Sequence, residues 1–214
     1  SEATARLAIL GAIRESLRAA EAIAHVNSRH EPDFGDSIPF MTQNKVRTFG
    51  ENLRAIGGNC VVVENLEAAV DVVRHVLNEH SPEMTAISDS PLAVAAASKI
   101  GREFVQNASA EELFECGVGI TSAQYGIAET GTLVIASGSE SNRLASLVPP
   151  VHICLIGASK LRSNLGEVLA ALDTDADRCV TFITGQSRTS DIELTLALGV
   201  HGPKELNVII IENE

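Results

Sequence analysis

The stretch that decides the fold is Tyr125-Gly-Ile-Ala-Glu-Thr-Gly-Thr-Leu-Val-Ile-Ala-Ser137, in which a turn rich in glycine and threonine leads into an apolar run. Gly126 and Gly131 permit a tight backbone path that other residues resist. Residues 133–136 carry no polar interruption, which is typical of a strand buried on both faces. We therefore expect Glu129 on a turn at the mouth of a central strand, where open α/β sheets bind ligands. The alternative is a turn that carries a solvated acid.

The composition favours a globular protein of one or at most two domains. The chain has 214 residues, 45% of them hydrophobic and only 3% aromatic, so the core must consist mainly of Ala, Val, Ile and Leu. The formal net charge of −12 and the scarcity of aromatic side chains both disfavour nucleic acid as a partner. The first residues show a charged amphipathic pattern rather than a signal peptide, and no apolar run approaches the ~20 residues of a membrane helix. We expect a cytoplasmic protein.

The four cysteines, Cys60, Cys116, Cys154 and Cys179, are far apart and form no C-x-x-C pair. This spacing predicts neither a metal site nor an iron–sulfur cluster on this chain. Buried thiols in a reducing cytosol are expected, with disulfides as the alternative.

Alternation of helix and strand patterns along the chain predicts parallel βαβ units. Residues 1–40 are assigned to an N-terminal helix and a proline-containing linker, and residues 41–214 to an α/β domain. The short spacing between the strands around residues 121, 133 and 151 leaves little room for crossover helices, so some antiparallel pairing and a mixed sheet are expected. Helices are predicted over 2–23, 45–56, 66–77, 91–100, 122–127, 163–172 and 191–198, and strands over 59–63, 85–88, 118–121, 133–136, 151–156, 180–184 and 206–211.

Three polar turns at strand ends hold the candidate site residues, and we expect them to converge on one cavity. The first turn carries an acid between hydroxyl groups, the second leaves a strand and enters a predicted helix, and the third places a histidine between two glycines. Their candidate residues are Glu129, Thr130, Gly131 and Thr132; Ser187, Arg188, Thr189, Asp191 and Glu193; and His201 and Gly202.

The second turn has the features of an anion site. The free N–H groups of a first helical turn attract anions, and Arg188 would add a forked contact to a phosphate or carboxylate. Asp191 and Glu193 would oppose a highly charged ligand, and the alternative is a simple capping turn in which the helix dipole favours both acids. An anion site and a capping turn are compatible with each other.

Two further features have a functional and an ordinary interpretation. His201 could act as an acid–base or hydrogen-bond donor beside Glu129, or be merely solvated. The loop at 137–143 lacks the pattern of a phosphate-binding P-loop, and its Asn142 and Arg143 either reach the same cleft or remain in solvent.

On three motifs, Gly126-Ile-Ala-Glu-Thr-Gly-Thr-Leu, Thr184-Gly-Gln-Ser-Arg-Thr-Ser-Asp-Ile-Glu and Gly199-Val-His-Gly-Pro-Lys, the chain resembles the LutC/YkgG family, the LUD-domain proteins of bacterial lactate utilization. The likeness runs from about Val46 to the C-terminus. It implies a three-layer α/β/α domain with a mostly parallel mixed sheet, similar to the NagB/RpiA/CoA-transferase-like fold. It also implies a role in oxidising L-lactate to pyruvate beside iron–sulfur partner subunits, LutA-like and LutB-like. Because this chain lacks ferredoxin-type cysteine motifs, it resembles the cluster-free subunit.

Three functions follow as hypotheses. The first is a non-iron–sulfur subunit of a lactate-oxidising complex, whose cleft binds a small anionic metabolite. The second is a CoA-transferase or isomerase-like enzyme that uses Glu129 as nucleophile or base, with His201 as a second catalytic candidate. The third is a regulatory or scaffolding domain. The N-terminal arm also favours a homo-oligomer. The sequence leaves the cofactor open, with a phosphorylated cofactor as the alternative to a small carboxylate in the cleft, and predicts no iron–sulfur cluster on this chain.

Overall fold

The computed structural model describes residues 11–12, 42–137, 143–172, 179–190, 196–198 and 202–213. Gly11 and Ala12 are helical, whereas the rest of the predicted N-terminal helix and linker lies outside the described residues. The domain boundary after residue 40 therefore stays a prediction.

Five helices and twelve strands make up the described part of the chain. The helices are α1 (Thr42–Ala55), α2 (Leu66–His80), α3 (Pro91–Ile100), α4 (Ala110–Glu115) and α5 (Leu165–Ala171). Two 3₁₀ turns cover Arg143–Ser146 and Ala158–Lys160. The strands are β1 (Asn59–Val63), β2 (Thr85–Ile87), β3 (Val105–Gln106), β4 (Val118–Ser122), β5 (Tyr125–Ile127), β6 (Thr132–Ala136), β7 (Val151–Gly157), β8 (Leu161–Arg162), β9 (Val180–Thr184), β10 (Arg188–Ser190), β11 (Leu196–Leu198) and β12 (Glu205–Ile211).

A six-stranded sheet in the order β1-β12-β7-β4-β2-β3 forms the centre of the fold, and every one of its strand pairs is parallel. The middle strands β7 and β4 are buried along their whole length, as expected for strands covered on both faces. The expected fold class, an α/β protein with a mostly parallel sheet flanked by helices, is confirmed.

Antiparallel pairing occurs in a separate four-stranded sheet, β8-β5-β6-β9, rather than in the middle of the large one. Strand β6, which the sequence predicts as a central strand, belongs to this smaller sheet. It is nevertheless buried on both faces, because Leu133 and Ile135 pack towards the large sheet while Val134 packs against Val168 of α5. A continuous apolar run reports burial but not which sheet the strand joins.

The core lies on both faces of the six-stranded sheet. On one face, alternate residues such as Ile153, Leu155 and Ile209 pack against α2 and α3. On the other face, Cys154, Ile156 and Ile210 pack against α1 and the smaller sheet. Alternation of side chains along each strand divides the core in this way.

Most predicted elements are present, and two are wrong. Residues 125–127 of the predicted short helix form β5, because they pair with β6 on one side and β8 on the other. Residues 196–198 of the predicted last helix form β11, which pairs antiparallel with β10. In both cases strand pairing with a neighbour outweighs the local helical pattern. Residues 191–195 lie outside the described residues.

All four cysteines lie among the described residues, and none forms a disulfide. Cys60, Cys116 and Cys154 are buried as expected, but Cys179 is exposed because it precedes β9 at the rim of the smaller sheet. Among the described residues no group of three or more His, Cys, Asp or Glu side chains could hold a metal ion. No helix in the described ranges is long and apolar enough to cross a membrane.

Candidate functional site

The first turn, which joins β5 to β6, is held by its backbone. The Asn52 side chain of α1 donates hydrogen bonds to the carbonyl oxygens of Ala128 at 2.8 Å and Glu129 at 2.9 Å. Gly131 adopts a left-handed conformation with φ of 64°, and an added Cβ would lie 2.4 Å from the Leu53 nitrogen. The Glu129 side chain is exposed. The backbone of the turn is therefore held in place, while the Glu129 carboxylate is exposed to solvent.

A row of hydroxyl groups links the first turn to the second. Oγ1 of Thr130 lies 2.7 Å from Oγ1 of Thr132, which lies 2.9 Å from Oγ1 of Thr184 at the end of β9. Thr184 immediately precedes Gly185, whose left-handed backbone packs against the Ile56 carbonyl just beyond α1. The C-terminal end of α1 thus supports both turns.

The second and third turns meet directly. The Ser187 N–H donates to the Pro203 carbonyl at 2.8 Å. A Cβ on Gly202 would lie 3.1 Å from the Ser187 Cβ, so the second and third turns are in direct contact. The Lys204 N–H in turn donates to the Pro150 carbonyl at 2.8 Å, which fixes the third turn beside the start of β7.

A cavity of about 300 Å³, here called the turn pocket, opens where these two turns meet. It lies at the amino ends of β7 and β12, because Gly202 and Pro203 lead into β12. Its described lining carries hydroxyl, amide and imidazole groups but no charged side chain. The lining residues are Ser146, Leu147, His152, Phe182, Ile183, Thr184, Gly185, Gln186, Ser187, Gly202, Pro203 and Leu206.

The structure brings together some of the predicted site residues and not others. Ser187 and Gly202 line the turn pocket, and Thr132 reaches its wall through Thr184. Glu129 is not among the lining residues, and Arg143 donates to the Cys179 sulfur instead of entering the pocket. Arg188 and Thr189 are placed as backbone of β10. Asn142, Asp191, Glu193 and His201 lie outside the described residues.

His152 of β7 is a polar residue of the turn pocket that the motif search missed. The side chain is fully buried, and its Nε2 lies 2.8 Å from the Thr121 hydroxyl on neighbouring β4. Its Nδ1 is buried without a hydrogen-bond partner among the described residues. Burial lowers the pKa of His152 to about 3, so the ring is uncharged at neutral pH. A histidine inside the apolar run 151–156 was the available signal, because a polar side chain in a buried strand requires a partner.

A second cavity of about 290 Å³, here called the strand-end pocket, lies at the carboxyl ends of β2, β4 and β7. Ser90 caps α3 there by accepting a hydrogen bond from the Ala93 N–H, and Lys160 and Gln124 also line this pocket. This is the usual ligand position in open α/β sheets. None of these residues belongs to the three motifs, so the motifs give no signal for this pocket.

Fold and pockets together define an α/β domain with a parallel central sheet, in which the turn pocket and the strand-end pocket lie at opposite ends of the strands. More specifically, the model of the LUD domain family matches residues 46–211, and the chain belongs to that family. The expected resemblance is therefore confirmed.

Relatives of this chain include lactate utilization proteins. It is 34% identical over 166 residues to lactate utilization protein C of Halalkalibacterium halodurans, covering 71% of each chain. It is also 45% identical over 96 residues to an uncharacterized protein of Neisseria meningitidis serogroup B, covering 44% of this chain but only 41% of that protein.

The fold is similar to the crystal structure of a DUF162 family protein from Deinococcus radiodurans. The TM-score is 0.64 at 21% identity, over 81% of this chain and 99% of the other.

Proposed function

We propose that this chain is a lactate utilization protein and serves as the non-iron–sulfur subunit of a complex that oxidises L-lactate to pyruvate. The observation that carries this proposal is the likeness to lactate utilization protein C of Halalkalibacterium halodurans over 71% of both chains. The absence of ferredoxin-type cysteine spacing in the sequence agrees with a subunit through which electrons do not pass. The electrons would instead pass through LutA-like and LutB-like iron–sulfur subunits in the cytoplasm.

The ligand cleft of this proposal is the turn pocket, which would take a small anionic metabolite. Contact between Ser187 and Gly202 supports it, because two of the three motifs form one cavity of about 300 Å³. That volume is at the lower end of the range of small-molecule sites. The other motif residues, Arg188, Thr189, Asp191, Glu193 and His201, stay candidates for this site, with Arg188 as the guanidinium for a carboxylate. Thr130, Gly131 and Thr132 would hold the wall beside Thr184.

The subunit role is tested by purification from native extract. We expect the tagged chain to recover partners whose absorption and electron paramagnetic resonance spectra show iron–sulfur clusters, and a deletion strain to lose growth on L-lactate. Recovery of the chain alone, with lactate oxidation intact in the deletion strain, would contradict the proposal.

The second candidate, a CoA-transferase or isomerase-like enzyme, depends on Glu129. One observation favours it: the exposed carboxylate stands on a turn fixed by two hydrogen bonds from Asn52, so a bulky acyl-CoA has access. Attack by the carboxylate on an acyl-CoA thioester would give a mixed anhydride and release CoA as the thiolate. Mass spectrometry should then find the adduct on wild type and lose it in Glu129→Gln. Wild-type protein without an adduct would exclude this role.

A further inference from the structure

The turn pocket holds one polar group whose hydrogen bonding is incomplete. Nδ1 of His152 is buried without a partner among the described residues, although more than nine in ten buried polar groups in proteins have one. The ring forms part of the pocket wall and exposes no surface to bulk water. His152 is a lining residue of a cavity of about 300 Å³, so a ligand that displaces the side chain covering the ring would complete the bonding of this nitrogen.

The hydrogen bond at Nε2 determines which of the two ring nitrogens carries the proton. Thr121 is fully buried, and among the described residues the hydrogen bond of its hydroxyl group is to His152 Nε2 at 2.8 Å. If Nε2 carried the proton, both the Thr121 hydroxyl hydrogen and Nδ1 would be unpaired. If Thr121 donates to Nε2, only Nδ1–H is unpaired. The arrangement with fewer buried unpaired groups therefore makes Nδ1 a donor.

The surroundings of Nδ1 determine which kind of ligand oxygen can accept its hydrogen bond. No charged side chain lines the described part of the pocket, and Leu206 and Ile183 contribute apolar walls. A carboxylate pressed against an uncharged imidazole there would lose its hydration without gaining an opposite charge. A neutral carbonyl or hydroxyl oxygen incurs no such cost. The Gln186 and Ser187 side of the pocket offers an amide and a hydroxyl as hydrogen-bond donors, and a carboxylate can be bound there.

We propose that His152 donates a hydrogen bond from Nδ1 to the oxygen on carbon 2 of a 2-oxo or 2-hydroxy acid bound in the turn pocket. This assignment rests on the proposed ligand cleft and explains how that cleft would select its ligand. The site would distinguish 2-oxo and 2-hydroxy acids from carboxylic acids of equal length that lack an oxygen on carbon 2. A buried donor rejects ligands that leave it unpaired more effectively than an apolar wall can. His152 acts as a binding residue, while Thr121 positions its ring.

Three acids of three carbons test the proposal by calorimetry: pyruvate, L-lactate and propionate, the last of which lacks the oxygen on carbon 2. We expect wild type to prefer pyruvate or L-lactate over propionate by about tenfold, the value of one buried hydrogen bond. His152→Leu should abolish the preference, and His152→Asn, whose amide retains a donor close to Nδ1, should keep part of it. An unchanged preference in His152→Leu would overturn the proposal.

A second measurement does not depend on the variants, and its first part needs no ligand. Nitrogen-15 spectra of histidine-labelled wild type should show His152 with its proton on Nδ1, and pyruvate should shift that nitrogen. A proton on Nε2 overturns the inference even if His152→Leu fails to fold. Wild type that binds none of the three acids overturns the ligand cleft and this inference together. Purification with iron–sulfur partners decides the subunit role separately.

Discussion

Gly131 shows how a single residue maintains the first motif turn. Its backbone is left-handed, with φ of 64°, and α1 leaves no room for a side chain beside it. Gly101 after α3 is also left-handed, with φ of 77°, but nothing lies within 4 Å of a Cβ there. The two glycines therefore separate the cost of backbone conformation from the cost of crowding.

Gly131→Ala is expected to destabilise the protein by about 3 kcal/mol or more, because left-handed strain and a clash with the Leu53 backbone add together. Gly101→Ala should lower the free energy of unfolding by only about 1 kcal/mol, from strain alone. Urea unfolding followed by circular dichroism measures both. Equal losses in the two variants would mean that α1 moves away from the turn at little cost.

His152 makes stability depend on pH. Its pKa is about 3 in the folded protein against 6.5 for the unperturbed side chain. As the pH falls below 6.5, the unfolded chain binds a proton that the folded protein does not, so this contribution to stability is complete above pH 6.5 and is lost towards pH 3. The loss at pH 5 relative to pH 7 is about 2 kcal/mol.

His152→Asn removes this titration, and its unfolding free energy should therefore fall by about 2 kcal/mol less than that of wild type between pH 7 and pH 5. Parallel urea titrations of the two proteins at each pH give the difference directly, since the other titrating groups are common to both. Identical pH dependence would show that the folded protein protonates His152 as readily as the unfolded chain does.

At the scale of elements, α1 positions the site by its C-terminal half. Asn52 bonds two carbonyl groups of the first turn, and the residues just beyond the helix support Gly185 of the second. A helix from the start of the LUD domain thereby fixes two turns that lie far apart in sequence.

Asn52→Ala is expected to cost about 1 kcal/mol of stability, because one partly buried and one exposed carbonyl lose their donor. Amide hydrogen exchange should quicken at Glu129 and Thr130 while the large sheet stays protected. Asn44→Ala, at an exposed position of the same helix, is the control and should change neither quantity. Unaltered exchange in the first turn of Asn52→Ala would mean that Gly131 alone determines its shape.

The sequence predicted elements well and their partners less well. The helix predicted over 91–100 is present as α3, because Ser90 caps it and Pro91 begins it, as local chemistry favours. Strand β6 was predicted as buried, but its membership of a second sheet depends on contacts with β9, some fifty residues away. His152 was missed for the same reason, since its partner Thr121 comes from another strand. Local sequence patterns predict which residues are buried and where helices are capped. They do not predict which distant strands pair, because that pairing depends on contacts across the whole chain.

At the scale of the whole molecule, the last strand in the sequence is an inner strand of the sheet. β12 lies between β1 and β7 and pairs with both along their length. Beyond it, the N–H groups of Glu212 and Asn213 bond to Val63 and Glu64 carbonyls. The sheet is complete only when the end of the domain is in place.

Ending the chain after Lys204 should therefore abolish cooperative folding, since β1 would be separated from the rest of the sheet and a large share of the core would be lost. Ending it after Glu212 removes one of the two terminal backbone bonds and should cost no more than about 1 kcal/mol. Thermal unfolding of both truncated chains distinguishes the cases. A sharp transition in the shorter chain would contradict the central role of β12.

The uneven exposure of the thiols has a practical use. Burial raises the pKa of Cys60 and Cys116, and Cys154 is enclosed in the core, whereas Cys179 is exposed. Because a thiolate is the species that alkylates, a maleimide dye added to native protein should couple to Cys179 in preference to the other three. Since Cys179 directly precedes β9, whose far end lines the turn pocket, the dye would stand about 16 Å from Thr184 at 3.3 Å per residue. Wild-type protein thus offers an attachment point for fluorescence reporting on occupancy, without engineered cysteines.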